Sequence, residues 1–277
     1  MTVAVIIPAF NEEGNIARLV HETFQVVPED VLGEVIVIDD GSSDGTGNEI
    51  RALIPAYSRL RYIRHRVRTG QSAAIRTGVL AAQCPVIATM DGDGQNDPAD
   101  IPNLLKKLGA PGKGGPAFVG GLRLKRKTKS SRRIASYLGN KARQAILNDD
   151  CPDSGCGIKV FWRESFLRLP FFSSMHRFNP ALFLMYGHNV EYVPVNDRPR
   201  LSGRSKYTNI NRFFVGIYDM IGIVWLRWRT RVPDISEDTL GVARLREVGL
   251  RRVAQAASRQ PVEVSPRDRG VEWTLKK

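Results

Sequence analysis

The sequence predicts an α/β protein whose central sheet is mainly parallel and covered by helices on both faces. Apolar runs of strand length at 2–9, 34–38, 61–65 and 85–90 alternate with segments of helical pattern. Such alternation is typical of strand–helix–strand units. Near-continuous apolar strands fit a sheet that is buried on both faces. A chain of 277 residues has room for one large domain with an appendage.

The first two strands each end in a polar loop that precedes a helix. After the strand at 2–9, we expect Asn11 to be the N-cap of a helix with Glu12 and Glu13 in its first turn. Side-chain oxygens at the N-cap and acids near the positive helix end both stabilise a helix. The strand at 34–38 ends in the polar loop 39–46, before another helix.

The strand at 85–90 ends in two carboxylates, Asp91 and Asp93. Alternate side chains of an extended backbone project from the same face, so the two carboxylates should point together. Gly92 and Gly94 allow a ligand to approach the backbone, and Gln95 adds a neutral oxygen. Oxygen ligands alone suit a hard cation such as Mg²⁺ or Mn²⁺. The alternative interpretation is an ordinary turn, since Asp-Gly pairs are common turn formers.

The remaining elements extend the alternation through the middle of the chain. They are helices at 70–82, 97–108, 134–147 and 178–186, strands at 117–122 and 189–195, a segment at 153–161 that passes from a small-residue turn into a strand, and basic loops at 123–133 and 198–207. In open α/β sheets, ligands bind beyond the carboxyl ends of the strands. Residues 10–12, 39–40 and 91–93 are therefore expected to converge there. The loop 198–207 suits a lid that orders over an anionic ligand.

The charge balance favours anionic partners. Lys and Arg number 41 against 28 Asp and Glu, which gives a formal charge of +13. We find no DNA- or RNA-binding motif, so nucleic acid is not expected as a partner. Three cysteines form no paired framework and no signal-peptide pattern begins the chain, which favours a reducing, cytoplasmic setting.

An apolar segment at 213–226 carries Asp219 and is shorter than the ~20 residues that span a bilayer. Flanking arginines and tryptophans predict a helix that lies in a membrane interface. Packing on the protein's own core or in a dimer interface is the alternative. We therefore divide the chain into a catalytic domain at 1–211, an interfacial helical segment at 212–232, and a peripheral, partly disordered tail at 233–277.

Four ordered motifs, at 5–13, 37–46, 91–95 and 203–207, together resemble the family 2 glycosyltransferases. The resemblance covers roughly 3–231 and is greatest to the polyprenyl-phosphate branch, typified by dolichol-phosphate mannose synthase. It implies a GT-A fold and an inverting, metal-dependent transfer of a mannose- or glucose-type sugar to a polyprenyl (dolichyl or undecaprenyl) phosphate. The implied donor is a GDP- or UDP-sugar.

The resemblance also implies roles for individual residues. The nucleoside pocket would be lined by Pro8, Phe10 and Glu12, with Ile38 and Asp40 at the base or ribose. The diphosphate and Mg²⁺ or Mn²⁺ would meet Asp91, Gly92 and Asp93, with Gln95 completing the metal ligands. Cationic contacts to phosphate would come from Arg123, Arg200 and Lys206.

The resulting hypothesis is an enzyme at the cytoplasmic face of the membrane, peripherally attached, with a homo-oligomer or membrane partner as a further possibility. Two alternatives stay open: transfer to a polysaccharide or protein glycan, and a non-catalytic nucleotide-binding protein. The intact acidic motif at 91–95 argues against the second. A dinucleotide-binding dehydrogenase is disfavoured because no GxGxxG follows the first strand.

Overall fold

The computed structural model describes residues 1–110, 114–123, 141, 143–199 and 209–231. Its strands are β1 (Val3–Ala9), β2 (Leu32–Asp39), β3 (Leu60–Arg64), β4 (Val86–Thr89), β5 (Pro116–Arg123), β6 (Lys159–Trp162) and β7 (Asn189–Val195). Its helices are α1 (Ile16–Val26), α2 (Thr46–Leu53), α3 (Gln71–Ala81), α4 (Ile101–Lys107), α5 (Arg163–Leu167), α6 (Asn179–Met185) and α7 (Asn209–Arg229). Arg200, Lys206, most of the cationic run 123–133 and the tail 233–277 lie outside the described residues.

The seven strands form one sheet in the order β3-β2-β1-β4-β6-β5-β7. Pairings between β1, β2, β3 and β4, and between β5 and β7, are parallel, whereas β6 is antiparallel to both of its neighbours. The prediction of a mainly parallel α/β sheet is therefore confirmed. The antiparallel β6 brings its first residue, Lys159, opposite Thr89 near the end of β4.

Helices cover both faces of the sheet because alternate residues of β1 face opposite sides. Val3, Val5 and Ile7 pack in one core with α1 and α4. Ala4 and Ile6 pack in a second core with α3 and α6. All five of these β1 side chains are fully buried.

The prediction that Asn11 caps α1 is wrong. The helix begins at Ile16, and Asn11 has a left-handed backbone with φ of 53°. Its side chain instead accepts a hydrogen bond from Ser43 N at 2.8 Å, and its N–H donates to Ser42 Oγ at 2.9 Å. Glu12 and Glu13 precede the first turn, since a bond to the neighbouring polar loop competes successfully with local capping.

Helix α7 packs one side on the catalytic domain and leaves the other exposed. Ile223 is buried in the second core, and Arg227 donates to the carbonyl of Leu147 at 3.2 Å. The outer side carries a stripe of large side chains whose exposed fractions are 80% for Tyr218, 64% for Ile221, 60% for Trp225 and 77% for Trp228. Among the described residues, no helix is long and apolar enough to cross a bilayer.

Candidate functional site

The carboxyl ends of β1, β2 and β4 lie side by side, as predicted. Asp40 N donates to Ala9 O at 2.8 Å, which joins the ends of β2 and β1. Gly92 lies against β1 so closely that a Cβ at this position would be 3.0 Å from the Pro8 carbonyl oxygen. The structure therefore brings the three predicted segments, at 10–12, 39–40 and 91–93, to one edge of the sheet.

Asp91 is held in place by contacts from three other segments. Its Oδ1 accepts a hydrogen bond from Gln71 Nε2, at the start of α3, at 2.7 Å. Its backbone N–H donates to Asn96 Oδ1 at 2.8 Å. Oδ2 lies against Gly157, where an added Cβ would come within 2.3 Å of it. A side chain at residue 157 would displace the carboxylate, so glycine is required at this position.

The electrostatic environment of Asp91 is that of an incomplete cation site. Burial and then the negative charge of Asp93 raise the pKa of the Asp91 carboxyl to about 6, although Lys159 and Arg123 act in the opposite direction. Two mutually repelling carboxylates suit a hard divalent cation, which usually takes one or two carboxylates and completes its shell with substrate phosphates and water. Within the described ranges, no group of three or more His, Cys, Asp or Glu could hold a metal by itself. The donor set therefore fits a metal that is shared with a phosphate ligand.

Asp93 and Gln95 lie in the turn that follows Asp91. Asp93 is 8% exposed, and its Oδ1 accepts a hydrogen bond from Gln95 N at 3.1 Å. The Gln95 side chain donates to the carbonyl of Arg198 at 3.4 Å, and Arg198 N donates to the Gln95 carbonyl at 3.0 Å. These bonds attach the acidic turn to the segment after β7.

Arg123, at the end of β5, is paired with Asp153. Its Nε donates to Asp153 Oδ2 at 2.7 Å and its Nη2 to Oδ1 at 2.9 Å. Burial opposes the charge of Arg123, but the bonds to Asp153 outweigh it and raise the pKa of the guanidinium. The charge of Arg123 also acts on Asp91. Two of the N–H groups of Arg123 are already bonded to Asp153.

Arg200 and Lys206 lie outside the described residues, whereas the segment just before them is described. Asn196 N donates to Asp100 Oδ2 at 2.8 Å, and Arg198 forms an ion pair with Asp97 at 2.6 Å. The segment that leads into residues 200–206 is thus fixed beside the acidic turn. Their contact with phosphate stays a prediction.

The three residues predicted for the nucleoside pocket lie at the end of β1, which contains Pro8, and in the loop before α1, which contains Phe10 and Glu12. The guanidinium of Arg68 stacks over the Phe10 ring, 4.2 Å from its centroid. Glu12 Oε2 accepts a hydrogen bond from Asn15 Nδ2 at 3.0 Å. Pro8 is half-buried and lies against Gly92. An aromatic ring with a cation on one face can form one side of a nucleobase pocket.

Ile38 and Asp40, predicted at the base or ribose, both have buried side chains. Ile38 is fully buried in the second core, and Asp40 is 4% exposed. The Asp40 carboxylate accepts hydrogen bonds from Thr69 N at 2.8 Å and Gly70 N at 2.7 Å, and lies 2.8 Å from His65 Nδ1. Burial alone would raise the pKa of Asp40, but these bonds lower it below the ordinary value of 3.8. Asp40 therefore orders the 65–70 loop beside Phe10.

We predict that Asp40→Asn destabilises the protein by about 2 kcal/mol at pH 7, because charge-assisted bonds to two loop amides are weakened. Since the pKa of folded Asp40 lies below its unfolded value, its charged form stabilises the fold above about pH 4. That contribution is lost as the pH falls through the folded-state pKa. Urea unfolding of both proteins at pH 7 and pH 3.5 measures the effect, with the exposed Asp30→Asn as control. A pH-independent difference would contradict this explanation.

Gln71 contacts Asp91, and Lys159 acts on it electrostatically, although sequence reasoning assigned neither residue a role. Lys159 is 6% exposed, and its Nζ donates to the carbonyl of His176 at 2.9 Å. Burial lowers the pKa of this ammonium, while the charge of Asp91 raises it. The sequence did contain a signal for Lys159, which stands inside the apolar run 158–161. Charged residues are rarely buried without a partner, so a lysine in such a run indicates a nearby negative charge.

Comparison with known families decides the identity. The profile of glycosyl transferase family 2 matches residues 4–169, which include the whole acidic turn. The chain belongs to glycosyltransferase family 2. It is therefore a glycosyltransferase, as the motifs predicted, and the expected GT-A fold is confirmed.

Two relatives of this glycosyltransferase carry names that specify a polyprenyl phosphate. The dodecaprenyl-phosphate galacturonate synthase of Rhizobium johnstonii is 30% identical over 83% of this chain and 69% of that protein. The undecaprenyl-phosphate 4-deoxy-4-formamido-L-arabinose transferase of Shewanella sediminis is 30% identical over 76% of this chain, which spans 62% of that relative's length. The two names agree in the class of lipid and differ in the sugar.

Solved structures of the same fold come from Mycobacterium tuberculosis. Glucosyl-3-phosphoglycerate synthase in complex with Mn²⁺, UDP-glucose and phosphoglyceric acid superposes with a TM-score of 0.62 at 20% identity, over 85% of this chain and 81% of that one. Its complex with Mg²⁺ and UDP gives a TM-score of 0.60 at 19% identity, with the same coverage. At this identity the likeness establishes the fold of the glycosyltransferase.

Proposed function

We propose that this glycosyltransferase transfers a sugar from a GDP- or UDP-sugar to a polyprenyl phosphate, with a divalent cation bound at Asp91 and Asp93. The observation that carries the proposal is the pair of neighbouring carboxylates after β4, where burial and the charge of Asp93 raise the pKa of Asp91 to about 6. Carboxylates repel a diphosphate, so a donor can bind beside them only with a cation in between. The relatives that are named for dodecaprenyl and undecaprenyl phosphate support the acceptor class.

Mg²⁺ or Mn²⁺ would be held by Asp91 and Asp93, with Gln95 contributing a neutral oxygen. The Mn²⁺ and Mg²⁺ complexes of the mycobacterial synthase support this choice of ions. When bound, the cation neutralises the charge that develops on the departing nucleoside diphosphate. The chain's own part is to orient Asp91, whose carboxylate accepts a hydrogen bond from Gln71 and whose backbone N–H donates to Asn96.

The chemistry requires no strong general base. A phosphate oxygen of the acceptor, already ionised near neutral pH, bonds to the anomeric carbon while the bond from that carbon to the diphosphate breaks on the opposite face. The configuration is inverted and no proton has to be removed. Catalysis is then positioning and charge neutralisation, and Arg123, Arg200 and Lys206 are the proposed cationic contacts to phosphate oxygens.

The nucleoside half of the donor is proposed to lie along β1 and the loop after β2, next to Pro8, Phe10 and Glu12. Phe10 offers a ring face, and Arg68 stacks on that ring. Ile38 and Asp40 would act mainly through the backbone they position, since both side chains are buried. This refines the roles that the sequence resemblance implied for them.

The exposed stripe on α7, formed by Tyr218, Ile221, Trp225 and Trp228, is proposed to lie in the cytoplasmic membrane interface. Aromatic rings are favourable at the level of the headgroups, and arginine side chains can reach anionic lipid phosphates. Arg229 and Arg231 extend the stripe at its C-terminal end. A lipid acceptor would then enter the site from the side on which α7 packs.

A transfer assay tests the proposal. Purified protein is incubated with radiolabelled GDP- and UDP-sugars and a short polyprenyl phosphate in detergent, with Mg²⁺ or Mn²⁺, in the presence and absence of a chelator. We expect label in the lipid phase with at least one donor, and its loss with chelator. Label that appears equally in chelator would refute the metal. Tight donor binding without any lipid product would refute the lipid acceptor and direct the search to glycans or proteins.

A further inference from the structure

Asp91 belongs to a group of residues linked by hydrogen bonds and by charge, which we call the Asp91 ring. Gln71 Nε2 donates to Asp91 Oδ1 at 2.7 Å, and the next residue, Ser72, has its Oγ 2.7 Å from His176 Nδ1. The carbonyl of His176 accepts from Lys159 Nζ at 2.9 Å. The Lys159 ammonium in turn interacts electrostatically with Asp91, which completes the ring. Four separate segments of the chain therefore meet around one carboxylate.

Lys159 is the cation of this ring. Because β6 runs antiparallel to β4, Lys159 pairs with Thr89, two residues before Asp91. Only 6% of Lys159 is exposed, and within the described part of the chain its hydrogen bond is to the His176 carbonyl. A buried ammonium with one neutral oxygen partner needs a nearby negative charge. Asp91 supplies that charge.

A balance of formal charges indicates what Lys159 does to a cation bound nearby. Arg123 is paired with Asp153 through two hydrogen bonds, so these two charges largely cancel. Asp91 and Asp93 are left with Lys159, a net charge of about −1 rather than −2 in a low-dielectric setting. Without a nucleotide, this site therefore attracts a divalent cation more weakly than Asp91 and Asp93 would in the absence of Lys159.

We propose that Lys159 is a positioning residue that makes metal binding depend on the donor. Its ammonium weakens the attraction of the nucleotide-free site for a divalent cation. The diphosphate of a nucleotide then supplies the missing negative charge, so metal and donor bind together. This inference rests on the metal site of the proposed function and adds an order of binding to it.

The experiment measures Mn²⁺ binding by electron paramagnetic resonance, with no nucleotide and with UDP or GDP. Lys159→Met removes the charge at similar volume, and Lys159→Gln removes it while keeping a hydrogen-bond donor near His176. We expect both variants to bind Mn²⁺ at least about tenfold more tightly without nucleotide. Adding nucleotide should improve their Mn²⁺ affinity much less than it improves that of the wild type.

Two controls separate this effect from other consequences of the substitution. Lys159→Arg keeps the charge, and Lys106→Met removes a lysine from the exposed side of α4. Both should bind Mn²⁺ as the wild type does. A variant whose role is merely structural would lose thermal stability without gaining Mn²⁺ affinity. If Lys159→Met does not fold, Lys159→Gln carries the test.

The outcomes distinguish this inference from the proposed function. Unchanged or weaker Mn²⁺ binding in folded Lys159→Met or Lys159→Gln, together with nucleotide-enhanced binding in the wild type, would overturn the role of Lys159 alone. Wild-type protein that binds no Mn²⁺ even with UDP or GDP would overturn the metal site and this inference with it.

Discussion

Asp93→Asn is expected to reduce sugar transfer by about a thousandfold or more. A cation that neutralises a departing diphosphate contributes several kcal/mol of transition-state stabilisation, and each 1.36 kcal/mol changes the rate about tenfold. Asparagine removes one of two carboxylates from the proposed metal site. Its Oδ1 can still accept the hydrogen bond that Asp93 receives from Gln95 N at 3.1 Å. The turn should therefore stay folded while metal binding is lost.

The effect is measured as the initial rate of label transfer to polyprenyl phosphate at saturating Mn²⁺, together with the thermal midpoint. Asp30→Asn, which removes a carboxylate from an exposed loop, is the matched control and should have wild-type activity. An Asp93→Asn enzyme that keeps its rate would exclude Asp93 from metal binding. If Asp93→Asn loses its rate because it unfolds, a second variant is used. Asp93→Glu keeps the charge, and its Mn²⁺ affinity then tests whether Asp93 binds the metal.

The fold could be predicted because its determinants are local. The continuous apolar run of β1 and the alternating pattern of the 189–195 strand are visible in the sequence, and both strands are present in the structure. The antiparallel direction of β6 was not predictable in the same way. It depends on the path that the chain takes after β5, and not on the residues of β6 itself.

The site residues, like the strands, could be predicted where they depend on local sequence and could not where they depend on contacts between distant segments. Asp91 and Asp93 were predictable because a strand end and a two-residue spacing place them together. The Asp91 ring was not, since Ser72 and His176 are 104 positions apart in the sequence. Asn11 was misassigned for the same reason, because its partners, Ser42 and Ser43, lie 31 and 32 positions away. Residues whose roles depend on long-range packing require the structure.

The second large effect is expected at the exposed stripe of α7. We predict that the double substitution Trp225→Ser with Trp228→Ser weakens binding to vesicles by about three orders of magnitude, since burial of each large aromatic side chain contributes roughly 2 kcal/mol. These side chains are 60% and 77% exposed, so their replacement should leave the fold intact. Sedimentation with vesicles of phosphatidylglycerol and phosphatidylcholine measures the loss. Leu80→Ser with Ile54→Ser, which removes exposed apolar side chains elsewhere, should bind as the wild type does.

Activity on two acceptors separates membrane contact from catalysis. The Trp225→Ser, Trp228→Ser enzyme should retain its rate on a short polyprenyl phosphate in detergent, because Asp91 and Asp93 are untouched. It should lose most of its rate on a long-chain acceptor embedded in vesicles, since the enzyme no longer concentrates at the surface that holds the phosphate. Unchanged vesicle binding, with a change from dimer to monomer on size exclusion, would instead assign the stripe to an interface between two copies of the chain. Because Ile223 on the buried side of α7 packs in the second core, the exposed stripe is attached directly to the sheet-and-helix core in either case.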